Sequence, residues 1–442
     1  MLTHSIDEPH VDKRQLWVLA RRLVEYAGGL FVRGLEVLGK FGLYFFAARR
    51  LGGHDSGLLF FCLTWVNLAS AAARLGLERT LTRLLAAEIG VGHGRAARAT
   101  LLTGLKWCTI SGLGWSLLTA LLAGVAAVHL FGQPELGSPL RVSALLLIPQ
   151  TLAITVGYAL MGVKRSALGQ LVASALPPVL VLAALLAGVR DLNQILIAYA
   201  LANAATALLG LGVLVHDRLK FEDNAARAML SDGPPVALPG IWHTALPLLT
   251  VELVSVAMIS LPLLLLAAYA EPEEVGAFSV ASRLSSLVWM IIVSIGTIAA
   301  PRIAEHYRRR EYAELASRNR LSRLVATVCC LPPVIAMLTM PTLLLSLIGP
   351  GFSLGRMALI AMSIGQLINC LLPFQEVTLS MTGHGHALRL ISVGQLILGA
   401  VAGIVLIPMF GSTGAGITTA LCISAGAIVC MLAARRLVPQ AF

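Results

Sequence analysis

The sequence predicts an all-α polytopic membrane protein of about twelve transmembrane helices, arranged as two six-helix lobes, and three observations carry that prediction. Of 442 residues, 57% are hydrophobic and 12% charged, with a mean hydropathy of +0.84, against roughly 45–50% and 25% in soluble domains. Apolar runs of about 20 residues, the length that crosses a bilayer, recur from near residue 28 to residue 433. The two halves of the chain also repeat each other at an offset close to half its length.

Taken in order, residues 1–27 carry Asp7, Glu8, Asp12, Lys13, Arg14, Arg21 and Arg22 without an apolar run ending in a small-residue cleavage site. They read as a cytoplasmic segment rather than a removable signal. Apolar periodicity and breaker residues place spans near 28–48, 57–76, 103–129, 142–161, 168–188 and 194–215, forming an N-lobe over 28–215. A polar stretch over 216–242, with Asp223, Ser231-Asp232-Gly233-Pro234-Pro235 and Pro239-Gly240, is a cytoplasmic linker. Spans near 243–269, 276–300, 321–348, 356–382, 387–408 and 412–433 form a C-lobe over 243–433, and 434–442 a cytoplasmic tail. None of these runs shows the alternation of a membrane strand.

The repeat is read from three pairs, each separated by about half the chain: Gly57 with Gly276, Phe131-Gly132 with Ile348-Gly349, and Met161-Gly162 with Met381-Thr382-Gly383. In each half the second span leads into a basic segment, at 78–98 and 301–320. Transporters are commonly built from such duplicated halves. With the N-terminus inside, and residues close to a span end counted with the adjoining segment, 25 of the 33 Lys and Arg residues fall in cytoplasmic segments, five in outer ones and three deep within spans. That asymmetry puts both termini in the cytoplasm of a multi-pass bacterial inner-membrane protein. The net charge of +11 is thus spread among loops as a topology signal, and no nucleic-acid partner is expected. The seven cysteines lie in apolar runs without Cys-x-x-Cys spacing and read as small buried residues.

Several short motifs resemble the polysaccharide-transport flippases of O-antigen and exopolysaccharide assembly, members of the multidrug/oligosaccharidyl-lipid/polysaccharide exporter superfamily. They are Ala48-Arg49-Arg50-Leu51-Gly52 with Gly57, Gly76-Leu77-Glu78, Gly349-Pro350-Gly351-Phe352, and Ile407-Pro408-Met409-Phe410-Gly411 with Gly414-Ala415-Gly416. The likeness covers nearly the whole chain. It implies two lobes alternating around a central cavity, with an undecaprenyl-pyrophosphate-linked oligosaccharide as cargo. Partners would be that lipid-linked glycan, membrane lipids, and a polysaccharide polymerase or other assembly proteins. Lipid II flippases of the superfamily usually have fourteen spans, so a count near twelve points to the repeat-unit branch.

Ionisable residues cost about 2.5–3.5 kcal/mol each in the hydrocarbon on insertion scales, so they face a cavity or a partner. In the first span Arg33, Glu36 and Lys40 fall within an arc of about 60°, with Glu36 and Lys40 in the favourable i,i+4 order. This face either lines the cavity, with Arg33 and Lys40 meeting a pyrophosphate and Glu36 orienting them, or forms a self-neutralising ladder. Arg33 is also placed to snorkel. Arg283 in the eighth span is a further candidate substrate-binding cation. Glu252 in the seventh span is the repeat counterpart of Arg33, so opposite charges stand at matching depths, open to a cross-lobe ion pair. Glu36, Glu252 and Glu376 are candidate gating or ion-coupling carboxylates, for H⁺ or Na⁺. Gln366, Asn369, Gln375 and Glu376 mark a polar stripe on the tenth span.

Other chemistries find less support. Gly411-Ser412-Thr413-Gly414-Ala415-Gly416 follows no strand and lacks a Gly-Lys-Ser/Thr, so it is no nucleotide loop. Gly383-His384-Gly385-His386 lacks further metal ligands, and no cofactor is expected. A drug/cation antiporter shares the architecture but favours an acidic cavity, whereas these spans mix Arg33, Lys40 and Arg283 with Glu36, Glu252 and Glu376. A membrane ligase or polymerase needs an acid/base constellation. The short outer loops are poor in His, and His54, Asp55, Glu271, Glu273 and Glu274 stand as their candidates. A scaffold would leave charged interior faces unexplained.

Overall fold

A computed structural model describes residues 13–90, 92–217, 240–308 and 311–439. Most of the expected linker at 216–242 and residues 1–12 therefore lie outside the described residues. The described chain is helical throughout its spans. Ten of its helices are long and apolar enough to cross a bilayer, and two of these ten are folded hairpins, which makes twelve spans.

The first hairpin is Lys13–Ala73, reversed at Gly52 (φ 77°, ψ −173°). The Tyr44 and Phe60 ring centroids lie 5.4 Å apart, whereas the intervening stretch as straight helix would separate them by roughly 24 Å. The second is Gly385–Leu437, reversed at Gly411 (φ 54°, ψ −131°). There Gln395 Nε2 donates to the Cys422 carbonyl at 2.9 Å, across a stretch that would span roughly 40 Å as continuous helix. Both turns need a residue without Cβ, because this backbone is closed to L side chains.

The remaining spans are Gly94–Val125, Gly137–Gly162, a fifth span in pieces (Ser166–Gln170 and Leu176–Leu186), Leu192–His216, Ile241–Ala267, Pro272–Arg308 and Tyr312–Thr339. The tenth is Arg356–Leu371 followed by Gln375–Met381. Pro177 and Pro178 lack the N–H a helix requires, and a π-helical turn, Leu171–Ala175, precedes them. The expected polar stripe on the tenth span is cut: the helix stops at Leu371 and restarts after Phe374, whose φ is 66°. Thr327 Oγ1 donates to the freed Cys370 carbonyl at 2.7 Å, the kind of repair that lets a membrane helix break.

The basic segment expected at 78–98 is largely an amphipathic helix, Leu77–Gly90, with Leu77, Leu81, Leu84 and Leu85 buried and Arg79 and Arg83 exposed. The halves differ here. Leu75 and Gly76 both have positive φ (55° and 72°) and turn the chain out of the second span, whereas the eighth span runs on to Arg308.

Ion pairs fasten the ends of spans. Arg165 grips Asp217 bidentately, Nε to Oδ2 at 2.5 Å and Nη2 to Oδ1 at 2.6 Å, tying the turn before the fifth span to the end of the sixth. That pairing holds the Arg165 guanidinium above its ordinary pKa. Glu274 Oε1 accepts from the Ser412 N–H at 2.7 Å, capping the helix that leaves the Gly411 turn.

The third span shows where lipid lies. Leu113, Leu117, Leu121 and Val125 are exposed, while Gly104, Cys108 and Gly112 face inward. Lipid is as apolar as leucine, so helices associate through small residues that let backbones approach. The lobes follow this rule where the second and eighth spans cross. A Cβ on Gly57 would stand 1.8 Å from the Pro272 carbonyl oxygen, and one on Gly276 would stand 2.6 Å from that of Gly53. The repeat partners Gly57 and Gly276 thus face each other at the end opposite the basic segments. Gln133 crosses beside them, Nε2 donating to the Ala270 carbonyl at 2.8 Å.

Candidate functional site

Two clusters of charge lie between or beside the lobes. The first runs along the first span. Glu36, buried, accepts from Lys40 Nζ at 2.7 Å, from Arg33 Nη1 at 3.4 Å and from Gln170 Nε2 of the fifth span at 3.4 Å. Arg33 and Lys40 keep 46% and 36% of their side-chain surface exposed, against 9% for Glu36. The carboxylate is therefore spent, and the two cations still have free N–H groups.

Tyr44, one turn beyond Lys40 on the same stripe, carries the line to the C-lobe. The Arg283 guanidinium lies 4.3 Å from the Tyr44 ring centroid, a cation–π contact. Among the described residues Arg283 pairs with no carboxylate. Phe41, Tyr44 and Phe45 of the first span, with Val280, Arg283, Leu284 and Ile348, line a small, narrow crevice between the lobes. At 100° per residue, the Arg33–Glu36–Lys40 arc lies between two packed sides of its helix. One side, through Gly39 and Gly42, meets Val179 and Leu182 of the fifth span; the other meets the eighth. Three expected cations thus fall along one line, with a single carboxylate among them.

The second cluster sits at the end of the bundle that carries the basic segments. Glu252 does pair across the lobes, but not with Arg33. It meets Arg74 Nη2 at 3.4 Å and Arg79 Nη2 at 3.0 Å, while Arg33 is engaged by Glu36. The reach of a side chain across the lobe contact is set by the neighbouring helix, here the corner at Gly76. A Cβ on Gly76 would stand 2.2 Å from the Ala245 carbonyl oxygen, so backbone meets backbone and brings Arg74 and Arg79 to Glu252. Arg74 is 4% exposed and also donates to Ser70 Oγ at 3.0 Å. In the sequence Arg74 reads as one of the cytoplasmic topology charges and Glu78 carries no assigned role. The i,i+4 spacing of Ser70, Arg74 and Glu78 was the available signal.

Glu376 belongs to neither cluster. It lies in the first turn of the helix that follows the break in the tenth span, exposed at the surface of the chain. Among the described residues it has no ion pair or hydrogen bond. Gln366 and Asn369 bond to each other at 3.4 Å before the break.

The arrangement of twelve spans in two lobes is similar to that in solved structures of the MOP superfamily. The inward-facing structure of a multidrug resistance MATE family transporter of that superfamily matches at TM-score 0.68, with 15% identity over 93% of this chain and 98% of that one. Lipid II flippase MurJ in its inward closed conformation matches at 0.71, with 11% identity over 93% and 87%. A MOP superfamily transporter from Pyrococcus furiosus matches at 0.63, with 16% identity over 94% and 96%. Within that fold the chain belongs to the polysaccharide biosynthesis protein family, whose sequence model matches residues 30–306. No curated protein sequence matches the chain.

Proposed function

We propose that the protein is an alternating-access flippase, carrying an undecaprenyl-pyrophosphate-linked oligosaccharide from the cytoplasmic to the outer leaflet of the bacterial inner membrane. The observation that carries the reading is Arg283. It is a guanidinium within a span, resting on an aromatic face without a carboxylate among the described residues, beside a crevice between the lobes, with Lys40 and Arg33 further along the same face of the first span. A cation so placed is set to receive an anion, and a pyrophosphate supplies acceptors for several guanidinium and ammonium N–H groups. Family membership and the likeness to a lipid II flippase support the same class of cargo.

In this reading the basic end faces the cytoplasm, as do both termini. The seam over 216–242 links two lobes that move against each other, and Glu36 keeps Arg33 and Lys40 extended between transport events. Coupling to H⁺ or Na⁺ through Glu252 or Glu376 belongs to the proposal, as does contact with a polymerase. The protein itself acts as a carrier and makes no covalent change to the glycan.

A drug antiporter is the second reading, favoured by the MATE likeness. The transporter from Pyrococcus furiosus is described as having a binding pocket of reverse polarity that suggests a different function, so one fold accommodates opposite pocket charges. Here the excess of Arg33, Lys40 and Arg283 over Glu36 favours anionic cargo. The test is deletion of the gene followed by scoring the leaflet of lipid-linked oligosaccharides with an impermeant glycan-modifying enzyme. Accumulation on the cytoplasmic leaflet, restored by the wild-type gene but not by Arg33→Ala or Arg283→Ala at equal abundance, supports flipping. Normal distribution with heightened sensitivity to cationic drugs transfers the protein to the antiporter reading, and accumulation on the outer leaflet points to a ligase or polymerase.

A further inference from the structure

Glu78 is the feature that the cargo site does not use. It is 2% exposed, at the start of the helix Leu77–Gly90, and among the described residues both its carboxylate oxygens lack a hydrogen bond. Its nearest cation is Arg74, whose Nε stands 3.6 Å from Glu78 Oε2 and is likewise without a hydrogen bond. The other nitrogens of Arg74 are committed, Nη1 to Ser70 and Nη2 to Glu252 of the opposite lobe. One guanidinium therefore faces two carboxylates, and the cross-lobe one holds the hydrogen bond.

The groups around Glu78 come from five elements. Arg74 is on the second span, Arg79 on its own helix and Glu252 on the seventh span, with Cys108 on the third span and Tyr158 on the fourth. Thr151 Oγ1 meets Ser70 Oγ at 3.1 Å and completes the polar row. The other cation acting on Glu78, Arg79, is half-exposed and pairs with Glu252 at 3.0 Å. An ionised, unbonded carboxylate in such a site carries a large desolvation cost.

We propose that Glu78 is a proton-binding site that latches the basic end shut: a proton on Glu78 releases Arg74 to bridge the lobes through Glu252, and loss of that proton draws Arg74 back and lets the lobes part. The inference rests on the alternating-access reading, though not on its cargo. Burial pushes the Glu78 carboxyl above its usual value of 4.5, opposed by Arg74, by its own backbone N–H and by Arg79, while the nearby Glu252 adds to the rise. When the lobes separate, Glu252 leaves and water enters, so both raising influences weaken and Arg74 can pair with Glu78 alone. The carboxyl then binds its proton more weakly in the open form than in the closed one. By linkage, closure takes up at most one proton, is favoured by acid, and is lost as pH rises through the closed-form value.

The test uses the full chain in lipid nanodiscs, with spin labels on non-canonical amino acids at exposed Ala96 and Ala313, one on each lobe beside the basic segments. Distance distributions are recorded from pH 5 to pH 8.5 without cargo. The wild type is expected to show two populations, the closed one growing as pH falls by up to about tenfold per unit, the limit for one proton. Glu78→Gln should stay closed at every pH, and Glu78→Asp should restore a pH response with a moved midpoint. A Glu78→Gln protein that keeps the wild-type response overturns the inference, as does a two-population wild type indifferent to pH. Should Glu78→Gln fail to fold, an unmoved midpoint in Glu78→Asp overturns it equally. A single, fixed distance in the wild type at all pH values would instead sink the alternating-access reading itself.

Discussion

Gly57→Ala tests whether the glycine crossing seals the end opposite the basic segments. The new Cβ would lie 1.8 Å from the Pro272 carbonyl oxygen and 2.6 Å from its carbon, where ordinary contact begins near 3.4 Å. The second and eighth spans must therefore separate by roughly 1.5 Å at the crossing. The obstacle is backbone, with no rotamer to change, so the cost falls in the upper part of the usual 1–3 kcal/mol for overpacking, about 2–3 kcal/mol. That is about a 30- to 150-fold shift against the conformation in which this end is closed. The assay is the distance between spin labels at exposed Ser138 and Thr342, one on each lobe near that end. Gly114→Ala serves as the control, since nothing lies within 4 Å of its Cβ position. A longer distance in Gly57→Ala, with wild-type behaviour in Gly114→Ala, is the expected result. Identical distributions in all three proteins would mean that the crossing does not hold the end shut.

Two further expectations concern the fastenings of the bundle. Asp217→Asn removes the bidentate partner of Arg165 and should lower stability by about 1–2 kcal/mol, discounted because Arg165 is partly exposed; an unfolding midpoint equal to wild type in detergent would refute this. Glu274→Ala strips the cap from the Ser412 N–H and should cost about 1 kcal/mol. In that variant, hydrogen exchange should quicken at the start of the last span and stay unchanged in the third, and uniform exchange would count against a local cap.

The charged stripe was legible locally because Arg33, Glu36 and Lys40 lie within two turns of one helix, where 100° per residue fixes their relation. The structure adds Tyr44 and Arg283 to it, a contact between opposite halves of the chain for which no spacing rule exists. Arg74 shows the opposite failure. As one basic residue among many near the cytoplasmic end of a span it carried only a topology signal, and its burial depends on the Gly76 corner pressing the second span against the seventh. The tenth-span stripe was misjudged because a helical wheel assumes continuity, and Leu372-Pro373-Phe374 breaks it.

The sequence by itself determined the solvent, the number of spans and the two-lobed repeat, since these follow from hydropathy, length and the spacing of short motifs. Tertiary structure alone decided which lobes, cations and carboxylates meet. Lipid and protein interior are equally apolar, so hydropathy cannot distinguish a lipid-facing side of a span from a packed one. Glu252 found Arg74 and Arg79 rather than Arg33 because backbone contact at Gly76 brings those two side chains within reach.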